Sequence, residues 1–209
     1  MIRLLLVRHG ETAWNATGLY QGQEDVPLNE VGRRQAEVVA ERLRDERFHI
    51  IYASDLSRAR ATADIVARFH RLPVRLDVRL RELNFGEWQG LSYREIEERD
   101  GERLAAWNAD RVHCAAPGGE SLAQMGQRAR MFLNDVRAAH QGQTVAVVSH
   151  GGIIRIILCV LIGHPLDVYW QFAVGNTSVS EIELHDRGAV VALWNDRHHL
   201  EEAHRQGVL

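Results

Sequence analysis

Ile2-Arg3-Leu4-Leu5-Leu6-Val7-Arg8-His9-Gly10 carries a near-continuous apolar run that stops at two polar residues and a glycine. A run without alternation suits a strand in a sheet covered on both faces. Thr144-Val145-Ala146-Val147-Val148, ending at Ser149-His150-Gly151-Gly152, repeats the pattern. His49-Ile50-Ile51-Tyr52-Ala53, reaching Ser54, is a shorter case. Helical stretches lie between. Asn29 is placed to cap a helix to about Asp45, with Val31, Val38, Val39, Arg42 and Leu43 on its inner face. A second, from about Ser57 to His70, would bury Ala61, Ile65, Val66 and Phe69. Leu122, Met125, Ala129, Phe132, Leu133 and Val136 mark an amphipathic helix within 120–140, and another starts at Gly151. After Pro73, Val74 to Leu80 alternates as a half-exposed strand, and further strands are expected near 178–184 and 190–194. Strand and helix alternate for most of the chain. That order predicts an α/β fold, a three-layer sandwich with a mostly parallel central sheet and helices on both faces.

The segment 85–119 is punctuated by Gly86, Gly90, Gly101, Pro117 and Gly118, and reads as a cap inserted into a single domain spanning 1–209. Residues from His198 onward read as a polar tail. The chain of 209 residues is long enough to bury a real core. Its net charge of -3 offers no field for nucleic acid or an anionic membrane, so an anionic ligand must find a local arginine cluster. Cys114 and Cys159 form no metal-like or redox-like spacing, and two reduced thiols are expected rather than a disulfide. The first apolar run is too short for a signal peptide, and Ile153–Ile162 is interrupted by Arg155 and too short to span a bilayer. These features predict a soluble, cytoplasmic protein without a nucleic-acid or membrane partner. They leave room for a homodimer.

In open α/β sheets, ligands bind beyond the carboxyl ends of the strands. Three strands end there in functional residue types: Arg8 and His9 after the first, Ser54 leading to Arg58 after the second, and Ser149-His150-Gly151 after the central one. Each alone has a plain reading, as a packed histidine, an exposed helix arginine or a turn glycine. Together, two histidines and two arginines at one end of a sheet suit phosphate, because guanidinium forks match its oxygens.

Further blocks make the pattern specific. Leu6-Val7-Arg8-His9-Gly10-Glu11-Thr12, then Trp14-Asn15, is followed by 27–36 (Pro-Leu-Asn-Glu-Val-Gly-Arg-Arg-Gln-Ala) and 54–63 (Ser-Asp-Leu-Ser-Arg-Ala-Arg-Ala-Thr-Ala). Next come 80–90 (Leu-Arg-Glu-Leu-Asn-Phe-Gly-Glu-Trp-Gln-Gly), Pro117-Gly118-Gly119-Glu120-Ser121 and Val148-Ser149-His150-Gly151-Gly152. In this order, over about residues 2–180, the set resembles the histidine phosphatase superfamily, also called phosphoglycerate mutase-like. The resemblance implies that fold and a covalent mechanism. His9 would attack phosphorus, Arg8, Arg58 and His150 would bind the equatorial oxygens, and Glu82 would protonate the leaving group and then activate water. Asn15, Gln21, Gly22 and Gly151 fall where the family places further phosphate contacts. An acid role for Glu82 asks for some burial or a neighbouring negative charge. No metal and no cofactor is implied.

The resemblance favours hydrolysis of a small phosphorylated metabolite. Cofactor-dependent mutases carry an adjacent arginine pair in a longer insertion, whereas Arg94, Arg99, Arg103 and Arg111 here are dispersed. α-Ribazole phosphate, phosphoglycerate-type acids, sugar phosphates and phosphoserine all suit the pattern, with specificity expected in 85–119 and 170–176. Two other readings stand beside it: a regulatory protein that binds a phosphorylated ligand with little turnover, and a metal-dependent hydrolase using His198, His199 and His204. Against the last, those histidines lack partners at a recognised ligand spacing. Trp88 and Trp107 are candidates for pocket walls or for packing, and Arg33 and Arg34 for a solvated helix face.

Overall fold

The computed structural model describes residues 1–207. A single six-stranded sheet runs in the order β3-β2-β4-β1-β5-β6. Its strands are β1 (Ile2–Arg8), β2 (Ile50–Ala53), β3 (Val74–Leu76), β4 (Thr144–Ser149), β5 (Val179–His185) and β6 (Gly188–Asp196). β3, β2, β4 and β1 are mutually parallel; β5 and β6 are antiparallel to their neighbours. The mostly parallel sheet therefore matches the expectation.

The unbroken apolarity of β1 has a direct cause. Successive side chains of a strand point to opposite faces. Leu4 and Leu6 enter a core with Phe132, Val145, Val147 and Ile157, while Leu5 and Val7 enter a second core with Val39, Val66, Ala146 and Val148. The first core is covered by α5 (Leu122–Ala139) and α6 (Gly151–Ile162), the second by α2 (Glu30–Arg42) and α3 (Ser57–Ala67). Burying each such side chain contributes roughly 1.5–3 kcal/mol, so a single charge placed on β1 would disrupt one of the two cores.

Several boundaries differ for local reasons. α2 does begin on Asn29, whose side chain accepts from Gly32 N, but it ends at Arg42. Val31 is exposed, and the inner face is Gly32, Ala36, Val39 and Ala40. α3 stops at Ala67, which leaves Phe69 outside, its ring covered by the Arg44 guanidinium. β3 ends at Leu76 because the Asp77 carboxylate accepts from Arg79 N and folds Val78–Leu80 into a 3-10 turn. The strand expected to Leu80 is thus two pieces.

The segment 85–119 holds a 3-10 turn, Gly86–Trp88, and one longer helix than expected, α4 (Tyr93–Ala109), started by a Ser92–Glu95 capping box. α4 kinks at Asp100, whose carboxylate accepts from Trp88 Nε1 at 2.9 Å. Trp88 and Trp107 are buried edge-to-face at 5.7 Å, and neither lines the cavity beside His9. With Ile96 and Leu104 they join the first core, which docks the cap on the sheet. The expected polar tail is instead a helix, α7 (His198–Arg205), with His199 and Ala203 buried. Both cysteines are free thiols, and no helix among the described residues is long and apolar enough to cross a membrane.

Candidate active site

Chain ends of β1, β2 and β4 converge, and the backbone fixes the convergence. His9 N donates to Ser149 O at 2.9 Å, and Ser54 N donates to Val148 O at 3.1 Å. Beside this junction a cavity of about 300 Å³ is lined by Arg8, His9, Trp14, Asn15, Gly18, Leu19, Tyr20, Gln21, Gly22, Arg58, Glu82 and Phe85. A short helix, α1 (Ala13–Thr17), supplies Trp14 and Asn15. A second hollow of about 740 Å³, lined by 108–113, Asp167 and Trp170, contains none of these groups. Of the two segments expected to set specificity, 85–119 meets both hollows, through Phe85 in the first and 108–113 in the second, whereas Trp170 meets only the second.

His9 is buried, and its Nδ1 lies 2.6 Å from Gly10 O. A carbonyl only accepts, so Nδ1 carries the proton and Nε2 keeps its lone pair. Burial, followed by the charges of Arg58 and Arg8, holds the imidazole well below its ordinary pKa, so it is neutral at neutral pH. His150 N-caps α6, and its ring lies 5.0 Å from that of His9. Its Nδ1 accepts from Arg58 Nε at 3.2 Å, which puts its proton on Nε2. Burial first, then Arg58, likewise holds it well below the ordinary value.

Arg58 is fully buried, not the exposed helix residue its sequence neighbourhood also allowed. It donates to Glu24 O and Gly22 O, each at 2.7 Å, so it shapes the loop as well as the cavity. Arg8 donates from Nη1 to Val174 O at 2.7 Å. Burial pushes each guanidinium down to about 10, partly offset by the carboxylate of Glu82, and both stay charged at neutral pH. Arg8 Nε and His150 Nε2 are buried with no protein partner. An unmet buried donor costs about 1–3 kcal/mol, so such donors suit a ligand rich in acceptors.

Thr12 organises the two amides. Its hydroxyl donates to Gln21 Oε1 at 2.8 Å, while Asn15 Oδ1 accepts from Thr12 N at 3.2 Å. Both amide oxygens are thereby occupied, and both NH2 groups are left for the cavity. Gly22 lines the cavity at φ +53°, where a Cβ would also strike Gln89. Gly151 does not line it; it lies against the Arg8 guanidinium, its Cβ position 3.5 Å from Nε.

Glu82 follows the 3-10 turn and is half-buried. Its carboxylate accepts from Leu83 N at 2.8 Å and Gly152 N at 2.9 Å. Of the two conditions set for an acid role, partial burial is met, while no second carboxylate lines the cavity and the charged neighbours are Arg8 and Arg58. Arg128, on α5, grips the loop from behind: it donates to Arg79 O and Arg81 O at 2.6 Å, Glu82 O at 3.0 Å and Glu120 Oε1 at 2.7 Å. Asn176 donates to His9 O at 3.0 Å. Thr12 stands in the quoted 6–12 block with no role readable there, and Arg128 left no sequence signal, since it reads as an ordinary helix residue until the chain is folded. The tail histidines do not converge: His198 pairs with Glu202, His199 is buried, and no cluster of three candidate metal ligands occurs among the described residues.

Comparison with known proteins shows the family and the fold. The profile of the histidine phosphatase superfamily (branch 1) matches residues 4–197. The sequence is 38% identical to phosphoserine phosphatase 1 of Hydrogenobacter thermophilus, over 97% of this chain and 96% of that protein. It is 33% identical to the adenosylcobalamin/α-ribazole phosphatase of Escherichia coli, over 94% and 97%. The solved α-ribazole phosphatase of Shigella flexneri superposes with a TM-score of 0.87 at 33% identity, covering 93% of this chain and 96% of that one.

Proposed function

The chain belongs to the histidine phosphatase superfamily and is a phosphoric monoester hydrolase of small phosphorylated metabolites; on that premise we propose that His9 is the nucleophile of a two-step reaction. His9 Nε2 attacks phosphorus as the ester P–O bond breaks, and the departing oxygen takes a proton from Glu82. Glu82 then takes a proton from water, whose oxygen attacks phosphorus; the P–N bond breaks, and phosphate and neutral His9 are released. Arg8, Arg58, His150 Nε2 and the amides of Asn15 and Gln21 receive the phosphoryl oxygens, where charge spreads in the transition state. Gly22 and Gly151 act through the arginines they touch. The observation that carries this reading is the His9 tautomer: Nδ1 is committed to Gly10 O, so the nucleophilic lone pair is on the nitrogen that remains.

The rim favours a substrate class. Trp14, Leu19, Tyr20 and Phe85 line the cavity, and its only guanidinium groups are those assigned to phosphate. Tyr20 and Phe85 stand edge-to-face at 4.8 Å. A small phosphomonoester whose alcohol bears a planar apolar group meets these walls, as α-ribazole phosphate would. A zwitterionic alcohol such as that of phosphoserine finds no cation of its own there, although the phosphoserine phosphatase relative keeps this as the second reading.

The test is hydrolysis of an activated aryl phosphate by wild type and His9→Ala in excess chelator, with acid-labile phosphoenzyme trapped in parallel. Turnover and label in wild type, and neither in the variant, are expected. A phosphoenzyme retained by His9→Ala would sink the assignment. A higher kcat/KM on phosphoserine than on a nucleoside-like 5′-phosphate would overturn the substrate class.

A further inference from the structure

Residues 174–178, between the last 3-10 turn (Leu166–Gln171) and β5, form a turn that meets the site from behind. Val174 O accepts from Arg8 Nη1 at 2.7 Å. Thr177 N donates to Arg8 O at 3.0 Å and His9 O at 3.3 Å. Asn176 adds donations to His9 O at 3.0 Å and Asn15 Oδ1 at 3.3 Å. Thr177 is fully buried with φ +50°, a left-handed conformation that a β-branched residue adopts only under constraint. Its N–H bonds to Arg8 O and His9 O hold it on one side.

Asn195, near the end of β6, holds the turn on the other. Its Oδ1 accepts from Gly175 N at 2.7 Å, and its own N donates to Ser180 Oγ at 2.9 Å. Asn195 itself sits at φ +53°, a conformation asparagine tolerates better than most residues. Two residues later, Arg197 packs flush on the turn: a Cβ at Gly175 would fall 2.6 Å from Arg197 Cδ.

We infer that Asn195 is a positioning residue for the phosphatase reaction, holding through Gly175 the turn that carries the Arg8 guanidinium and the His9 backbone. It touches no cavity-lining side chain directly. The inference rests on the assignment of His9 as nucleophile, and it predicts a change in kcat more than in KM, because displacement of Arg8 and His9 weakens the transition state more than ground-state binding.

Two variants separate the side-chain acceptor from the backbone conformation. Asn195→Gly keeps the positive φ and removes the acceptor; Asn195→Asp keeps both. On an activated aryl phosphate, Asn195→Gly should lose about tenfold in kcat, the scale of one hydrogen bond, with KM within about threefold. Asn195→Asp should restore kcat to within about threefold of wild type. Wild-type kcat in Asn195→Gly, or a folded Asn195→Asp that itself loses tenfold or more in kcat, would overturn the inference. The Asp variant supplies this test even if the Gly variant does not fold. Phosphoenzyme trapping in wild type is the separate control: its absence would remove the His9 assignment, whereas the contrast between the two variants tests Asn195 on kcat alone.

Discussion

Gly152→Ala should silence Glu82 without loosening the fold. Gly152 is the second residue of α6, and its N–H donates to Glu82 Oε2 at 2.9 Å. A Cβ there would fall 2.2 Å from Glu82 Oε1 and 3.0 Å from its Cδ. Carbon–oxygen contact needs roughly 3.3 Å, so the carboxylate must retreat by about 1 Å. It can retreat, because it ends a flexible side chain, and so the collision costs position rather than folding. Misplacement by about 1 Å costs on the order of 100-fold, or about 2.7 kcal/mol of barrier. Alanine is the better helix former by up to about 1 kcal/mol, so Tm should hold or rise. The assay compares kcat on an alkyl phosphate, whose leaving group needs a proton, with kcat on p-nitrophenyl phosphate, whose leaving group does not. The alkyl ester should lose about 100-fold and the aryl ester much less. Equal losses on both, or an unchanged alkyl ester, would refute the acid role and the geometry behind it.

Arg128→Met should leave the carbonyls of Arg79, Arg81 and Glu82 and the carboxylate of Glu120 without their shared donor, at a cost of roughly 3–5 kcal/mol for a partly buried pair. At about 2–4 °C per kcal/mol for a chain of this size, Tm should fall by some 6–20 °C by calorimetry, with alkyl phosphates again losing more activity than aryl ones. Stability should also fall in mild acid. His199 is pushed down to about 4, first by burial and then by Arg42, with Asp196 opposing. Its folded value lies below its unfolded one, so its contribution is intact above about pH 6.5 and is lost as pH falls toward 4. His9 and His150, held low by burial and by Arg58, act in the same direction. Tm measured from pH 7 to 4.5 should decline, and His199→Phe should flatten the curve; a parallel decline in that variant would assign the effect to other groups.

The two-faced apolarity of β1 and β4 made the parallel, doubly covered sheet legible, because short runs such as Leu4–Val7 and Val145–Val148, without alternation and bounded by polar residues, suit a strand buried on both faces. Carboxyl ends of such strands, with Arg8, His9, Arg58 and His150 at or after them, suggested one phosphate site, and the resemblance to a known family was needed to add Glu82, Asn15, Gln21 and Gly22. Errors fell where side chains met partners far along the chain. His199 read as solvated because α7 is polar except for a single turn, and only packing against α2 buries it. Trp88 and Trp107 were open to a pocket-wall role, with packing the commoner use of buried aromatics, and the docking of 85–119 on the sheet decided for core.

Residue types and their order thus determined the fold and the chemistry on offer at its strand ends. Orientation came from the tertiary structure alone. The tautomers of His9 and His150 depend on a carbonyl one residue away and on a guanidinium 92 positions away. Glu82 owes its place to Gly152 and Arg128, and the strained turn behind His9 to Asn195. Apart from the His9–Gly10 contact, each is a hydrogen bond of a few ångströms between residues distant in the chain. Local propensity carries no information about such distances, whereas a folded backbone fixes them.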